Sequence, residues 1–322
     1  MKLTILPKAF VITAAAIFAC SFGQAQALSP CATAGNDNAF LNIQTIRLWP
    51  GEAPQAKGNS CDDIPTLTIL SPRAGTANGS AVIVLPGGAY RGLAADLEGR
   101  EVADWFTARG FRAFILSYRL TSHGYVLPVP LLDARRAVQL VRARARDYQI
   151  DPNRIVMIGF SAGGHLAALA GTQPVPGNPE SEDPIERVSS RPDFMVLGYA
   201  WLGAISSDTS HLSYCEIFNL MDQCEKLKAA YTPELYVTKD TPPTFMYHTY
   251  TDQTVPIQQA LGFFDALVKA GVPAEMHVFA NGPHGTGLGK GDPALDQWPG
   301  LLEIWLRAHG LMPAPQRPTA PK

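Results

Sequence analysis

A serine with a glycine two residues to either side, placed directly after an apolar run, stands where acyl-transfer chemistry can be done. The chain carries one in Ile155-Val156-Met157-Ile158-Gly159-Phe160-Ser161-Ala162-Gly163-Gly164-His165. The apolar run reads as a strand and the small residues after it as a helix. A turn between them sharp enough to expose one side chain at its tip leaves no room for a Cβ at the flanking positions. A hydroxyl there, with the amides of a helix N-terminus behind it, is a nucleophile already next to donors for the oxyanion it creates. Ser161 is the expected nucleophile, and the amide of Ala162 is one expected oxyanion donor. The competing reading, a Gly/Ser helix start without chemistry, does not account for the preceding strand.

A serine hydroxyl needs a base and a group to orient that base. On a strand–turn–helix nucleophile the order along the chain is serine, acid, histidine. The late histidines are His248, His277, His284 and His309. His248 and His277 fall inside expected strands, and His309 ends the last expected helix. His284 lies in Asn281-Gly282-Pro283-His284-Gly285, a turn just beyond a strand, where open sheets build their sites. The expected acid is Asp252, which follows the strand Thr244–Tyr250 and precedes Val255-Pro256. Its competing reading is an Asx turn that starts the next helix. Asp208, Asp222, Glu234 and Asp240 fall in or beside an insertion, and Asp265 is in mid-helix. His165, a full turn down the helix from Ser161, is expected to be structural. His211 has no assigned place.

A second source of oxyanion donors is the loop after strand Ala81–Leu85, which reads Pro86-Gly87-Gly88-Ala89-Tyr90. Its glycines let backbone amides approach a substrate, and Gly88 and Ala89 are the expected donors. The competing reading is a plain glycine turn.

These residues need a scaffold, and the rest of the chain supplies an alternation. Thr45–Leu48, Thr66–Leu70, Ala81–Leu85, Phe111–Tyr118, Arg154–Phe160, Phe194–Trp201, Thr244–Tyr250 and Glu275–Phe279 read as strands. Glu98–Ala108, Leu131–Tyr148, a stretch through Ala170, Pro256–Ala270 and Pro299–His309 read as helices. Strands alternating with helices imply an α/β fold, a mostly parallel sheet covered on both faces. Residues 203–242 interrupt the series and read as a small insertion near the working edge. Residues 313–322 are Pro-rich and read as a disordered tail.

With 322 residues, a net charge of -2 and 46% hydrophobic residues, the chain suits one globular domain, here residues 28–312. The charge balance argues against nucleic acid as a partner. Arg135, Arg136, Arg142, Arg144 and Arg146 cluster, but on one expected helix, as a solvated face. Lys2 and Lys8, the apolar run Ala9–Cys20 and Ala25-Gln26-Ala27 fit a signal peptide over residues 1–27. The alternative is a lipoprotein signal ending on an acylated Cys20; Phe18 beside that cleavage point disfavours it. No other stretch is apolar enough to span a membrane. Export agrees with Cys31, Cys61, Cys215 and Cys224, an even set with three possible connectivities, of which Cys31–Cys61 and Cys215–Cys224 are favoured by proximity. A periplasmic or secreted location follows.

Pro86–Tyr90, Glu98-Gly99, Leu132-Asp133-Ala134, Gly159–His165, the Asp252-x-x-Val-Pro run and Pro283-His284-Gly285 together resemble the esterase/lipase group of α/β-hydrolases. The most similar branch is the bacterial acetyl esterases and acetyl xylan esterases. The likeness covers roughly residues 65–310. It implies the α/β-hydrolase fold and hydrolysis of short acyl, chiefly acetyl, esters of hemicellulose-derived sugars, without cofactor or metal. Two positions depart from the pattern: Ala89 replaces a usual third glycine, and Thr251 stands where a second aspartate is common. Alternative readings are a general carboxylesterase, a lipase, a peptidase of the same fold, or a non-catalytic binding protein. Whether Tyr90, Arg91 or Trp201 contacts a sugar, or is ordinary packing or a solvated loop, is not decided by the sequence. Oligomeric state is open.

Overall fold

The computed structural model describes residues 31, 43–203, 215, 218 and 221–313. Strands β1 (Gln44–Arg47), β2 (Thr66–Leu70), β3 (Ala81–Leu85), β4 (Arg112–Ser117), β5 (Ile155–Phe160), β6 (Phe194–Gly198), β7 (Thr244–Thr249) and β8 (Ala274–Phe279) form one sheet. Their order across it is β1-β2-β4-β3-β5-β6-β7-β8. β2 runs antiparallel to both β1 and β4, and every pair from β4 to β8 is parallel. The expected α/β architecture is borne out.

The continuous apolar strands are explained by coverage on both faces. Along β3, Val82 and Val84 face one layer while Ile83 and Leu85 face the other. β5 divides in the same way, with Val156 and Ile158 opposed to Ile155 and Met157. Helices α1 (Glu101–Thr107) and α7 (Trp298–Ala308) cover the first face through Val102, Phe106, Trp298 and Leu302. Helices α2 (Val129–Ala143), α4 (Ser161–Thr172) and α6 (Ile257–Lys269) cover the second through Leu131, Val138, Leu166 and Phe263. Each such side chain, fully buried, contributes about 1.5–3 kcal/mol. Short α3 (Ala145–Tyr148) follows α2, and α5 (Cys224–Tyr231) lies between β6 and β7.

Several boundaries differ from the sequence reading. The helix expected from Glu98 starts as a wide π turn, Ala95–Arg100, that runs into α1. The long helix expected over Leu131–Tyr148 begins at Val129 and breaks at Arg144. β6 ends at Gly198 because Tyr199 takes a φ of +33° and turns the chain over the end of β5. The arginine cluster needs a larger correction. Arg136 is only 3% exposed, paired with Asp183 at 2.7 Å and donating from Nε to the Leu48 carbonyl at 3.0 Å. Arg142 donates to the carbonyls of Ser189 and Arg191 and pairs with Asp193. These two arginines tie α2 to the loops beside it instead of forming a solvated face, because their long side chains reach carbonyls that neither a strand nor a helix satisfies.

Cys31–Cys61 and Cys215–Cys224 are disulfide-bonded, with Cα separations of 5.0 and 5.1 Å. The expected leader with Cys20, all but the first residue of the expected tail, and Asp208 and His211 lie outside the described residues. Among the described residues, no helix is long and apolar enough to cross a membrane.

Candidate active site

The parallel strands end at one edge, and four of the loops that leave it carry the candidate residues. β5 delivers Ser161 with a φ of +50°, an uncommon value for a residue with a Cβ. The trunk of this turn is closed by contact. A Cβ on Gly159 would stand 2.2 Å from the Gly163 carbonyl oxygen, and one on Gly163 would stand 2.1 Å from that of Leu85. Trp201 N donates to the Ser161 carbonyl at 3.0 Å, so the loop after β6 also holds the turn.

The loop after β7 supplies Asp252, which is buried. Its Oδ1 accepts the amides of Thr254 at 2.8 Å and Val255 at 2.9 Å, while Oδ2 lies 2.7 Å from His284 Nδ1. The Asx turn and the contact to histidine are therefore both present, one on each oxygen. Burial pushes the carboxyl up, but the His284 hydrogen bond and the two amides outweigh it and hold Asp252 below its ordinary value. A carboxylate only accepts, so the proton of neutral His284 sits on Nδ1, and Nε2 is left to accept. That atom lies 2.8 Å from Ser161 Oγ. The structure thus brings Ser161, His284 and Asp252 into one hydrogen-bonded chain, with the lone pair of His284 Nε2 facing the hydroxyl.

Thr251, one of the two departures from the motif pattern, clamps the histidine loop. Its Oγ1 accepts from Gly282 N at 3.0 Å and donates to Gly282 O at 3.2 Å, two residues before His284. The other late histidines are occupied elsewhere. His248 is buried beneath Asp252, 3.5 Å from Oδ2, donates from Nε2 to the Val255 carbonyl, and has its pKa lowered by burial. His277 meets Glu275, and His309 meets the Trp305 carbonyl. His165, fully buried, donates from Nε2 to the Tyr231 carbonyl at 2.8 Å, so its Nδ1 accepts the Tyr90 hydroxyl at 2.7 Å. Burial lowers it to about 4. Asp265 pairs with Lys269 on the surface of α6.

In the loop after β3, three successive residues take positive φ: Gly88 at 133°, Ala89 at 54° and Tyr90 at 57°. Gly88 is exposed and Ala89 half-buried, and among the described residues neither amide donates within the chain. The Ala162 amide lies in the first turn of α4, where amides have no partner within the helix. Tyr90 and Trp201, which the sequence left open between sugar contact and packing, are buried against His165. Arg91 is exposed.

A residue that sequence reasoning did not single out sits under this site. Glu98 is 3% exposed; its Oε2 accepts the Gly87 amide at 2.6 Å and its Oε1 accepts the Tyr199 hydroxyl at 2.7 Å. The only signal in the sequence was the Glu98-Gly99 pair within the motif set.

The family model of BD-FAE matches residues 67–267. The chain belongs to the BD-FAE family. Acetylxylan esterase of Xylanibacter ruminicola is 29% identical over 243 residues, which is 74% of this chain and 47% of that protein. Endo-1,4-beta-xylanase B of Butyrivibrio fibrisolvens is 31% identical over 236 residues, 71% of this chain and 36% of that one. The chain thus spans half or less of these two curated relatives. Among solved structures, the acetyl ester-xyloside bifunctional hydrolase of Caldicellulosiruptor lactoaceticus aligns with a TM-score of 0.74 and 36% identity, covering 84% of this chain and 97% of that one. This BD-FAE member therefore has the α/β-hydrolase fold, and the resemblance to acetyl esterases and acetyl xylan esterases is borne out.

Proposed function

We propose that this chain is a serine carboxylesterase that removes short acyl groups, acetyl foremost, from hemicellulose-derived sugars. The observation that carries the reading is the chain of hydrogen bonds Ser161–His284–Asp252, at 2.8 and 2.7 Å, at the edge where the parallel strands end. The acetyl and xylan parts rest on the names of the relatives, an acetylxylan esterase and an acetyl ester-xyloside hydrolase.

In the mechanism, His284 Nε2 takes the hydroxyl proton as Ser161 Oγ attacks the ester carbonyl carbon. The oxyanion is received by the amides of Gly88, Ala89 and Ala162, and loss of one such donor typically costs ~2.7–4 kcal/mol of transition-state stabilisation. Collapse expels the alcohol, which takes its proton from His284 and leaves an acyl-Ser161. Water, deprotonated by the same Nε2, attacks the acyl carbon; the acid departs and Oγ regains the proton. Asp252 keeps the proton of the base on Nδ1 and stabilises the imidazolium. The exposure of Gly88, the half-burial of Ala89 and the lack of an acceptor within the chain for either amide among the described residues support their assignment as donors. Two disulfides and the basic-then-apolar N-terminus support export to an oxidising compartment, with residues 1–27 as leader and 28–312 as the catalytic domain.

The test is acetate release from acetylated xylo-oligosaccharides by the wild type and Ser161→Ala, with fluorophosphonate labelling alongside. Release and labelling that both vanish in the variant are expected. Cleavage of aryl acetates without release from the oligosaccharides would remove the sugar assignment, and activity in Ser161→Ala would remove the nucleophile.

A further inference from the structure

Two loops must hold their positions together during turnover: the oxyanion loop after β3 and the histidine loop after β8. They belong to strands separated in the sheet by β5, β6 and β7, so no ladder hydrogen bond couples them. A buried carboxylate and a buried phenol together span the gap. Glu98 Oε2 accepts the amide of Gly87, the residue before the expected donors Gly88 and Ala89. Glu98 Oε1 accepts the Tyr199 hydroxyl proton at 2.7 Å, and that same phenolic oxygen accepts the amide of Gly287 at 2.9 Å, three residues beyond His284. The next peptide is held as well, since the Gly287 carbonyl accepts from the Tyr247 hydroxyl at 2.8 Å and from Trp298 Nε1 at 3.2 Å.

Steric contacts follow the same line. A Cβ on Gly87 would stand 2.7 Å from Glu98 Oε2 and 2.9 Å from Ser161 Cβ, so the carboxylate lies directly beneath the nucleophile with only a glycine between them. A Cβ on Gly287 would stand 2.8 Å from Leu97 Cγ. The adjacent residues Leu97 and Glu98, on one π turn, therefore brace the two loops, and the ring of Tyr199 lies 5.0 Å from that of His284. π turns are rare and are frequently found at functional sites.

We propose that Glu98 and Tyr199 are positioning residues that fix the oxyanion loop and the histidine loop relative to each other. The proposal rests on the assignment of Ser161, His284 and Asp252 given above. Both groups that Glu98 meets are donors, so its two oxygens act only as acceptors. Removing the carboxylate strands the Gly87 amide and the Tyr199 hydroxyl in a buried site. The loops then keep their folds but lose their shared reference. A donor displaced by a fraction of an ångström serves the transition state worse while the bound ester is affected less, so kcat falls and KM does not.

The experiment compares wild type, Glu98→Ala, Glu98→Gln, Tyr199→Phe and the double variant E98A/Y199F on p-nitrophenyl acetate, with Ser161→Ala as control and thermal melting of each. Tyr199→Phe cuts the bridge to Gly287 while keeping the ring; it is expected to lower kcat about 10-fold with KM within about twofold. Glu98→Ala is expected to lower kcat about 100-fold, the lower range for a lost oxyanion donor. Glu98→Gln recovers part of that loss, because its one carbonyl oxygen can still accept from Gly87. E98A/Y199F is expected to be no slower than E98A, since the bridge is broken once in either case. Folded Y199F with kcat within twofold of wild type, or a double variant whose losses multiply, would overturn the proposal. Should E98A fail to fold, Y199F and E98Q decide by the same criteria. Activity in Ser161→Ala would instead remove the nucleophile assignment beneath it.

Discussion

Asp252→Asn is the most informative single change, because the structure dictates which way the new amide must face. In the wild type, Oδ1 accepts two backbone amides, Thr254 N at 2.8 Å and Val255 N at 2.9 Å. An asparagine must keep its carbonyl oxygen there, since an NH2 group would set donor against two donors. Its NH2 then replaces Oδ2, 2.7 Å from His284 Nδ1. To meet a donor, Nδ1 must give up its proton, and the imidazole shifts to the tautomer protonated on Nε2. That nitrogen now donates to Ser161 Oγ when the proposed mechanism needs it to accept, so Ser161 has no base. A loss of the order of 10⁴-fold in kcat follows, about 5.5 kcal/mol of barrier. Asp252→Ala provides the contrast. It strands the Thr254 and Val255 amides and should melt lower than Asp252→Asn, yet it leaves the tautomer free and should be the faster of the two. The assay is steady-state hydrolysis of p-nitrophenyl acetate at neutral pH, with urea unfolding of both variants. Asp252→Asn turning over within tenfold of wild type would refute the reasoning, because a different group would then have to orient His284.

Three further changes test other parts of the structure. Gly163→Ala places a methyl 2.1 Å from the Leu85 carbonyl oxygen and 2.6 Å from that of Pro86; the expected cost is about 3 kcal/mol or more in urea unfolding, with loss of activity, and a wild-type midpoint would contradict the contact. Asp133→Ala leaves the Arg119 guanidinium, 2% exposed, without the carboxylate that accepts its Nη2 at 2.6 Å; a loss of about 3–5 kcal/mol is expected by the same measurement, and a change under 1 kcal/mol would show that the pair is dispensable. His165, lowered by burial to about 4, titrates near 6.5 when unfolded, so the unfolded chain binds more protons between those values. The stability it provides above pH 6.5 is lost as pH falls towards 4, roughly 2–3 kcal/mol by pH 4.5. His165→Gln can keep both hydrogen bonds without titrating and should lose correspondingly less between pH 7 and 4.5; equal losses in the two proteins would count against a buried neutral imidazole.

The turn that carries Ser161 was readable because its requirement is local: a strand, a turn that excludes Cβ at Gly159 and Gly163, and a helix. That Asp252 and His284 come to the same edge as Ser161 was readable for a related reason, as they follow strands of a parallel sheet, and such strands end on one edge. The alternation of apolar strands and helices likewise determined the layers, since a strand apolar on every residue must be covered on both faces. What no local pattern carried was the set of long-range polar contacts. Arg136 looks like surface in a helix of five nearby arginines, and only the approach of Leu48 and Asp183 buries it. Tyr199 read as strand, yet its turn sends the hydroxyl to Glu98, 101 residues away. The sequence left Tyr90 and Trp201 open between sugar contact and ordinary packing, and packing against His165 makes them core. Periodicity reports which face of an element is apolar, because solvent exclusion acts on the element as a whole. The partner of a buried polar atom is decided only when distant segments meet, because a hydrogen bond is satisfied by whichever group arrives at about 3 Å in the right direction.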